Sequence, residues 1–453
     1  SFCEGRPVEE MPRITQRICG VCPMAHHIAS AKAADAVYGV TPPPAGLRIR
    51  ELAYNAFVSG DHATHFFVLS GPDFFVGPDA DPAQRNILGM ISKLGVRLGQ
   101  RVLRHLSEAH EVIAMLGGRF VHPVMGLPGG VAKAVTPEMQ QRLIEIGESM
   151  VEFGQFSLGL WRDYVIGSQE YRDMIMGEAY LHRTHSIGLV DENRQLNFYH
   201  GNVRIVDVEG RQVACYAPAE YAAHIAERVE PWSYVKFPYL KHFGWHGFVD
   251  GMDSGVYRST PLSRLNVTDG LSTPLAQQAY EEFFEYMGGK PVHATLATHW
   301  ARLVEMLHCG EKVLAFARHE DLTDPHVRVI PEGVPHEGVG IVEAPRGLLT
   351  HHYVTDEQGI LRHVNLIVGT TNNNAAICMS IKQAAQSLIG GGREITQGLL
   401  DRVEMAFRAY DPCFACATHA APGEMPLQVT VYDHRGDLVA DLSRMAPRGR
   451  CDL

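Results

Sequence analysis

The chain has 453 residues, of which 45% are apolar and 20% are charged. This composition is that of an ordinary globular protein, and it excludes disordered and collagen-like chains. The 40 basic and 51 acidic residues give a net charge of −11, with neither sign concentrated in a long block. Because a surface that binds nucleic acid needs a basic footprint, the charge argues against nucleic acid as a partner.

The sequence shows no targeting or membrane-spanning segment. It contains no uncharged apolar run of about 18 residues or more, the length that predicts a transmembrane helix. The first residues, SFCEGR, lack the basic region and apolar stretch of a secretory signal. We therefore expect a cytoplasmic protein, or one carried by a partner, without a membrane span of its own. Since the chain begins with Ser1 rather than methionine, we also expect residues upstream of it.

Hydrophobic periodicity predicts a mainly helical chain. Glycine and proline signals mark several of the predicted ends, such as Gly39 and Gly117-Gly118. In chain order, the predicted helical segments are 26–38, 48–69, 82–116 with a junction near Gly95, 139–166, 275–287, 294–318, 375–388 and 395–409.

Three regions alternate between apolar and polar residues and predict strands. The first, at about 189–240, predicts a β-rich insertion with a hairpin or small sheet at 201–215. The second spans 338–369, and the third, 425–442, has the pattern of a hairpin around Arg435-Gly436. No polar linker divides the helices. The predicted fold class is therefore mainly α (α+β overall): one large helical-bundle body at 1–419 with small β excursions, followed by a tail at 420–453.

Nine cysteines are too few for a disulfide scaffold, and their odd number suits a reducing compartment. Four of them form two C-x-x-C pairs, Cys19 with Cys22 in RICGVCPMAH, and Cys413 with Cys416 in DPCFACATH. A histidine follows the second cysteine of each pair, four residues on in the first pair and three in the second. Two such pairs can supply four thiolates to one soft-metal site.

Two other uses of paired cysteines stay open. A zinc ribbon closes a loop of about 15–20 residues, whereas the second pair here begins 391 positions after the first ends (413 − 22). A redox dithiol needs only one pair and explains neither the duplication nor the two histidines. We therefore favour a buried active-site metal that joins both ends of a helical body.

The two motifs, R-x-C-G-x-C-x-x-x-H and D-P-C-x-x-C-x-x-H, resemble the signatures of nickel-iron hydrogenase large subunits. Further similar segments are GGRFVHPVMGLPGG (117–130), VEPWSYVKFPYLK (229–241), EAPRG (343–347) and NLIVGTTNNN (365–374). The residues of these segments are similar to those of the cytoplasmic, bidirectional or cofactor-linked branch of that family. The resemblance implies the large-subunit fold and the reversible, heterolytic cleavage of H2 to protons and electrons.

The resemblance also implies a nickel-iron centre. Nickel would be bound by four thiolates, with Cys19 and Cys413 as terminal ligands and Cys22 and Cys416 as bridges to an iron that carries CO and two cyanides. Polarizable thiolates suit a redox-active nickel. A terminal thiolate keeps a lone pair, so Cys413 would act as the general base. His419 would bind magnesium or a similar ion.

Several polar residues receive roles from the same resemblance. Arg346 would lie over the open metal position, where it could polarise H2 and donate to a cyanide, and Asp61 and Asp411 would hold it in place. Thr370 and Thr371 would donate to a cyanide. The alternatives are a surface arginine, an ordinary polar turn of a helix at Asp61, a helix cap at Asp411 and hydroxyls at a strand end for the threonines.

His26 would donate an N–H to a bridging sulfur, although a lone histidine is more often a core residue. In the family, the counterpart of His419 usually ends the mature chain, whereas here 420–453 follow. We expect this tail to be retained as an ordered hairpin, an unprocessed form being the alternative. The family's proton-relay glutamate lies upstream of the first residue, so Glu4 receives no such role.

The sequence has no iron–sulfur motif beyond these four cysteines. The resemblance therefore implies a partner, the iron–sulfur small hydrogenase subunit, with a flavin or nicotinamide, F420 or heterodisulfide reductase module beyond it. Two alternative functions stay open: a non-catalytic hydrogenase-like scaffold subunit of a respiratory-type complex, and a zinc-stabilised structural protein. A scaffold relative is expected to lose some metal thiolates, and this chain has all four.

Overall fold

The structure is a computed structural model, and it describes residues 3–233, 235–389, 395–412, 427–432 and 435–444. Long helices form most of it, and small sheets pack at their sides, which confirms the predicted fold class. The α-helices are α1 (Met11–Ile14), α2 (Pro23–Tyr38), α3 (Pro44–Thr64), α4 (Gly71–Phe75), α5 (Ile87–Leu94), α6 (Val96–Gly117), α7 (Pro137–Trp161), α8 (Gln169–Met176), α9 (Tyr221–His224), α10 (Pro261–Val267), α11 (Pro274–Tyr286), α12 (Thr298–Ala317), α13 (Gly369–Asn372), α14 (Asn374–Ile389) and α15 (Gln397–Arg408). The strands are β1 (Gly126–Leu127), β2 (Gly130–Val131), β3 (His185–Val190), β4 (Asn202–Val206), β5 (Gln212–Tyr216), β6 (Ile225–Val229), β7 (Lys236–Leu240), β8 (Tyr257–Arg258), β9 (Glu337–Ala344), β10 (Gly347–Thr355), β11 (Leu361–Ile367), β12 (Leu427–Tyr432) and β13 (Leu438–Arg444).

The long helices lie where the periodicity predicts them. Helices α5 and α6 meet at Gly95, the predicted junction. Helices α3 and α7 each continue into a π-helical turn, at His65–Ser70 and Arg162–Ile166. The sequence analysis missed α10, which has seven residues and is too short for a periodic signal. Its start is fixed instead by the hydroxyl of Thr260, which accepts a hydrogen bond from the Ser263 amide.

Helix α12 lies at the centre of the helical body and packs against both α3 and α7. Its residues are buried on every face from Thr298 to Glu311. The buried set includes Arg302 and Glu305 as well as apolar side chains. A buried charge needs partners within the protein, so α12 brings charged groups into the interior as well as apolar packing.

The strands form several small sheets. Strands β9, β10 and β11 make an antiparallel sheet in the order β11-β10-β9. The strands predicted at about 189–240 belong to two sheets, one in the order β5-β4-β3-β8 and the other formed by β6 and β7. Strands β12 and β13 pair antiparallel in the tail. Among the described residues, no helix is both long enough and apolar enough to cross a membrane.

Helix α2 lies directly against β9. A Cβ on Gly340 would lie 2.2 Å from the carbonyl oxygen of Ala29, and one on Gly338 would lie 2.4 Å from that of Ala33. The helix and the strand can therefore approach this closely only because both strand positions are glycine. Since α2 begins next to Cys22 and β9 ends at Ala344, this contact fixes the first cysteine motif relative to the turn that carries Arg346.

Candidate active site

The first cysteine pair lies at the start of α2. Cys22 immediately precedes the helix, whose first residue is Pro23, and the Cys22 amide lies 3.1 Å from the sulfur of Cys19, to which it donates a hydrogen bond. Cys22 is buried and Cys19 is half-buried. The partial positive charge of a helix N-terminus favours a thiolate over a thiol. The local fold therefore holds two sulfurs together in a setting that supports their anionic form.

Arg346 lies in the two-residue turn between β9 and β10, where Ala344 pairs with Gly347. Gly347 has φ of 136°, and a Cβ there would lie 2.1 Å from the carbonyl oxygen of Ser259, so this position requires glycine. The side-chain amide of Asn373 donates to the Arg346 carbonyl oxygen at 2.8 Å. Only 2% of Arg346 is exposed, so the surface-arginine alternative is wrong.

Two buried carboxylates hold the Arg346 guanidinium. Its Nη1 donates to Oδ2 of Asp61 at 3.2 Å, and its Nη2 lies 2.9 Å from Oδ2 of Asp411. Asp61 belongs to α3, whereas Asp411 follows α15 in the left-handed conformation, with φ of 54°. Asp61 thus lies on a helix, as the alternative of an ordinary polar turn expects, but it is buried and bonded to Arg346, and Asp411 likewise bonds Arg346. Charge-assisted bonds at both ends of one guanidinium fix its position.

The two carboxylates differ in their surroundings. Burial raises the pKa of Asp61 to about 6, and the charge of Arg346 only partly offsets that effect. Burial also acts to raise the pKa of Asp411, but Arg346, His65 and Arg302 outweigh it and hold that pKa below its usual value. His65 Nδ1 lies 3.1 Å from Asp411 Oδ1, and Arg302 Nη1 lies 3.7 Å from Oδ2. Asp411 is therefore a carboxylate surrounded by positively charged and hydrogen-bonding groups.

A small cavity lies beside Arg346. It brings together four of the sequence-predicted site residues, Cys22, His26, Arg346 and Thr370. Thr371 is half-buried and is not among the described residues that line the cavity. The lining residues are Cys22, His26, Ala344, Arg346, Leu349, Val368, Gly369 and Thr370. The cavity therefore has a thiol, a fixed cation and a hydroxyl-bearing residue on apolar walls.

The predicted ligands Cys413, Cys416 and His419 lie outside the described residues. Within the described ranges, no group of three or more potential ligands is arranged to hold a metal ion. The two described thiolate ligands nevertheless fit a soft metal, because Cys22 lines a cavity with a buried cation and the Cys19 sulfur is bonded to the Cys22 amide.

His26 has a second buried histidine as its neighbour. Its Nδ1 lies 3.2 Å from Nε2 of His351, and Nδ1 of His351 lies 2.6 Å from the hydroxyl of Tyr353. That hydroxyl donates to the Ser30 side chain at 2.8 Å. This buried chain fixes the His26 ring where it lines the cavity. Its predicted bond to a bridging sulfur stays a prediction.

A group of buried charges behind Arg346 was missed by the sequence analysis. Arg264 donates through Nε and Nη2 to both oxygens of Glu305, at 2.7 Å each, and Nη1 lies 3.1 Å from Glu343. His62 Nε2 lies 2.9 Å from Glu305, and its Nδ1 lies 3.3 Å from Arg302. One signal could have found part of this group: α12 carries Arg302 and Glu305 three residues apart in a helix that is otherwise largely apolar.

Burial and ion pairing determine the protonation of this group. Burial raises the pKa of Glu343 to about 7, against the opposing charge of Arg264. Burial also acts to raise the pKa of Glu305, but Arg264 and His62 lower it to about 2. Burial lowers the pKa of His62 to about 3, so this histidine is neutral at pH 7. The Arg264–Glu305 ion pair is therefore charged, whereas Glu343 readily holds a proton.

Comparison with known proteins identifies the family. The model of the nickel-dependent hydrogenase family matches residues 1–86 and 100–419. The chain is 45% identical over 439 residues to an iron-sulfur subunit of the F420-non-reducing hydrogenase of Archaeoglobus profundus, covering 97% of this chain and 90% of that protein. It is 37% identical over 457 residues to the beta subunit of the NAD-reducing hydrogenase HoxS of Cupriavidus necator, covering 98% and 91%.

Solved structures agree with this comparison. The structure resembles an NAD⁺-reducing NiFe hydrogenase in the H2-reduced state with a TM-score of 0.85 at 35% identity, over 92% of this chain and 90% of that one. The NiFeSe hydrogenase of Dm. baculatum shares the fold, with a TM-score of 0.68 at 22% identity. These matches favour the catalytic prediction over the scaffold and zinc alternatives. The chain belongs to the nickel-dependent hydrogenases and is the catalytic large subunit of an oxidoreductase that acts on H2.

Proposed function

We propose that H2 is cleaved in the cavity beside Arg346, at a nickel-iron centre held by Cys19, Cys22, Cys413 and Cys416. One observation carries this proposal: a fully buried guanidinium, held by Asp61 and Asp411, faces the cavity that Cys22 lines. Holding a buried cation in this way has a large desolvation cost. A role in polarising a small neutral substrate would explain why the protein keeps a buried cation at this position despite that cost.

The bound centre would supply the redox chemistry that turns H2 into protons and electrons. The residues of this chain would orient the substrate and accept the proton that its cleavage releases. The Cys413 thiolate would accept the proton as general base, and Arg346 would present a preorganised positive charge. Thr370, Thr371 and His26 would donate hydrogen bonds, the threonines to a cyanide carried by iron together with CO. His419 would hold magnesium or a similar ion.

The electrons would leave through an iron–sulfur small subunit. Two of the relatives have names that point to different acceptors, one NAD-reducing and one F420-non-reducing. The NAD-reducing name supports a nicotinamide module, and the F420-non-reducing name gives no support to an F420 module. The flavin and heterodisulfide reductase modules stay predictions. The cytoplasmic location and the retention of the tail after His419 stay predictions.

The substitution Arg346→Lys tests the proposed function. It keeps the positive charge but removes the planar fork that spans Asp61 and Asp411, so the charge no longer has two fixed partners. We expect H2-dependent dye reduction by the nickel-loaded complex to fall by about 100-fold, with nickel content unchanged.

Arg142→Lys is the matched control. Arg142 makes two bonds to Glu111, at 2.8 Å each, but on the protein surface. This variant should keep the wild-type rate. An Arg346→Lys complex that carries nickel and turns over as fast as this control would overturn the proposal.

A further inference from the structure

Three separate segments of the chain meet at Arg346. They are α3 with Asp61, the turn after β9, and the residues after α15 with Asp411. Each of them also contacts a buried group behind the arginine, centred on the ion pair between Arg264 of α10 and Glu305 of α12. Arg264 and Glu305 are both 0% exposed. The ion pair contacts the turn and α3 directly, and α12, which carries Glu305, contacts the third segment through Arg302, so the pair and its helix are placed to set the mutual position of all three segments.

The strongest of these contacts are to the turn itself. Arg264 Nη1 donates to the carbonyl oxygen of Ala344 at 2.9 Å, and Nη2 donates to that of Pro345 at 3.2 Å. Nη1 also donates to the side chain of Glu343 at 3.1 Å. The three residues that lead into Arg346 are thus all held by one guanidinium, which fixes the start of the turn in space.

The two carboxylates that hold Arg346 are connected to α12. Glu305 Oε2 lies 2.9 Å from Nε2 of His62, the residue after Asp61. Arg302 lies three residues before Glu305 on α12. It donates to the carbonyl oxygen of Ala409 at 3.3 Å, and its Nη1 lies 3.7 Å from Oδ2 of Asp411. The positions of Asp61 and Asp411 therefore both depend on α12, the helix whose Glu305 pairs with Arg264.

We propose that the Arg264–Glu305 ion pair is a positioning pair for Arg346: it holds the turn and α3 directly, and the segment after α15 through Arg302 on the helix of Glu305, in the one arrangement that places the guanidinium over the cavity. This inference rests on the proposed function, in which Arg346 acts on H2. Neither Arg264 nor Glu305 is among the described residues that line the cavity, so both act through Arg346 and not on the substrate.

The contacts of the ion pair require arginine, and not lysine, at position 264. A planar guanidinium can bind both oxygens of Glu305 and still reach two carbonyl oxygens, because its five N–H donors point outwards in a fixed plane. A lysine ammonium would neutralise Glu305 from a single point and release the turn. A displacement of about 1 Å at a reacting site can lower a rate by about 100-fold.

The test uses the nickel-loaded complex with Arg264→Lys, compared with Arg50→Lys as a matched control. Arg50 is also 0% exposed, pairs with Asp35 and donates to the carbonyl oxygens of Leu127 and Gly130. Each variant loses one buried guanidinium group, so the unfolding temperature should fall to a similar degree in both. Only Arg264→Lys should lower kcat for H2-dependent dye reduction, by about 10- to 100-fold.

A spectroscopic readout separates positioning from general destabilisation. If Arg346 donates to a cyanide of the centre, Arg264→Lys should shift the cyanide bands of the infrared spectrum in the same direction as Arg346→Lys. Arg50→Lys should leave these bands unchanged. Unshifted bands with a wild-type kcat in Arg264→Lys would overturn the positioning pair.

A double-mutant cycle of Arg264→Lys and Arg346→Lys tests most directly whether Arg264 acts through Arg346. Because Arg264 acts through Arg346, adding Arg264→Lys to Arg346→Lys should lower kcat by no more than about threefold further. Losses that multiply in full would overturn the inference. Should Arg264→Lys not fold, the pair Arg264→Gln with Glu305→Gln removes both charges together, which proteins tolerate better than one unpaired charge, and the same cycle applies.

The outcomes also separate this inference from the proposed function. A fully active Arg346→Lys complex would overturn the proposed function. An inactive Arg346→Lys complex beside a fully active Arg264→Lys complex would overturn the positioning pair alone.

Discussion

At the residue scale, the site is a group of buried charges that neutralise one another. Three guanidinium groups face four carboxylates, which leaves one excess negative charge when all are ionised. The raised pKa values of Asp61, at about 6, and Glu343, at about 7, allow a bound proton to remove that excess. The charged residues of the group are Arg264, Arg302, Arg346, Asp61, Glu305, Glu343 and Asp411.

Lys32 is a half-buried charge whose effect on stability depends on pH. It lies on α2 and donates to the carbonyl oxygens of Tyr199 and, at 2.7 Å, Ile341 of β9. Burial lowers its pKa from 10.5 to about 7, although Glu51 and Asp35 oppose the shift. The unfolded chain therefore binds more protons than the folded one between about pH 7 and pH 10, so stability rises with pH across this window.

We expect the wild-type free energy of unfolding to rise relative to that of Lys32→Met by about 2 kcal/mol between pH 7 and pH 9. Urea unfolding at pH 7, 8 and 9 measures this difference. Lys93→Met, at an exposed position of α5, serves as the control and should keep a constant offset from the wild type. A constant offset for Lys32→Met as well would contradict the prediction.

The sequence predicted Arg346 and the two carboxylates that hold it better than the residues behind them. Arg346 and Asp411 lie in recognisable motifs and Asp61 received its role from the resemblance, and the structure brings all three together. Arg264 and Glu305 have no such motif. A charged residue on a helix usually faces solvent, and only the packing of α10 and α12 reveals that these two face each other in the interior.

At the scale of elements, the close contact between α2 and β9 links the cysteine motif to the arginine turn. Gly340→Ala would place a Cβ within 2.2 Å of the Ala29 carbonyl oxygen, so the helix and the strand must move apart. We expect a loss of about 1–3 kcal/mol in the free energy of unfolding and a lower rate of H2-dependent dye reduction, measured by urea unfolding and by dye assay.

Gly159→Ala on α7 is the matched control. No heavy atom beyond its local helix lies within 4 Å of a Cβ at that position. This variant should keep its activity and be more stable by up to about 1 kcal/mol, because alanine favours the helix. Equal effects of the two substitutions would show that the contact between α2 and β9 has no special role.

Long helices and hairpins were predictable because their signals are local. Helix α6 ends at Gly117, close to its predicted end, and β4 pairs with β5 within the predicted 201–215 hairpin. The parallel pairing of β3 with β8 joins residues about 70 positions apart, His185 with Tyr257. Such pairings depend on tertiary packing, so neither periodicity nor turn residues could reveal them.

At the scale of the whole molecule, the two ends of the chain approach one cavity. Cys22 lines it, and Asp411, two residues before Cys413, bonds the arginine that also lines it. This proximity supports the proposal that the second cysteine pair completes the ligand set of the first. The odd cysteine total is incidental to such a site.

Metal analysis combined with infrared spectroscopy of the same purified, active complex tests this central proposal most directly. We predict nickel together with iron in excess of it, because the iron–sulfur partner also contains iron, and we predict carbonyl and cyanide bands. We also predict that Cys22→Ser removes both the nickel and the bands, whereas Cys309→Ser, at a buried cysteine outside the motifs, keeps them. Zinc in place of nickel, or a folded complex with neither nickel nor the bands, would contradict a nickel-iron centre held by the two cysteine pairs.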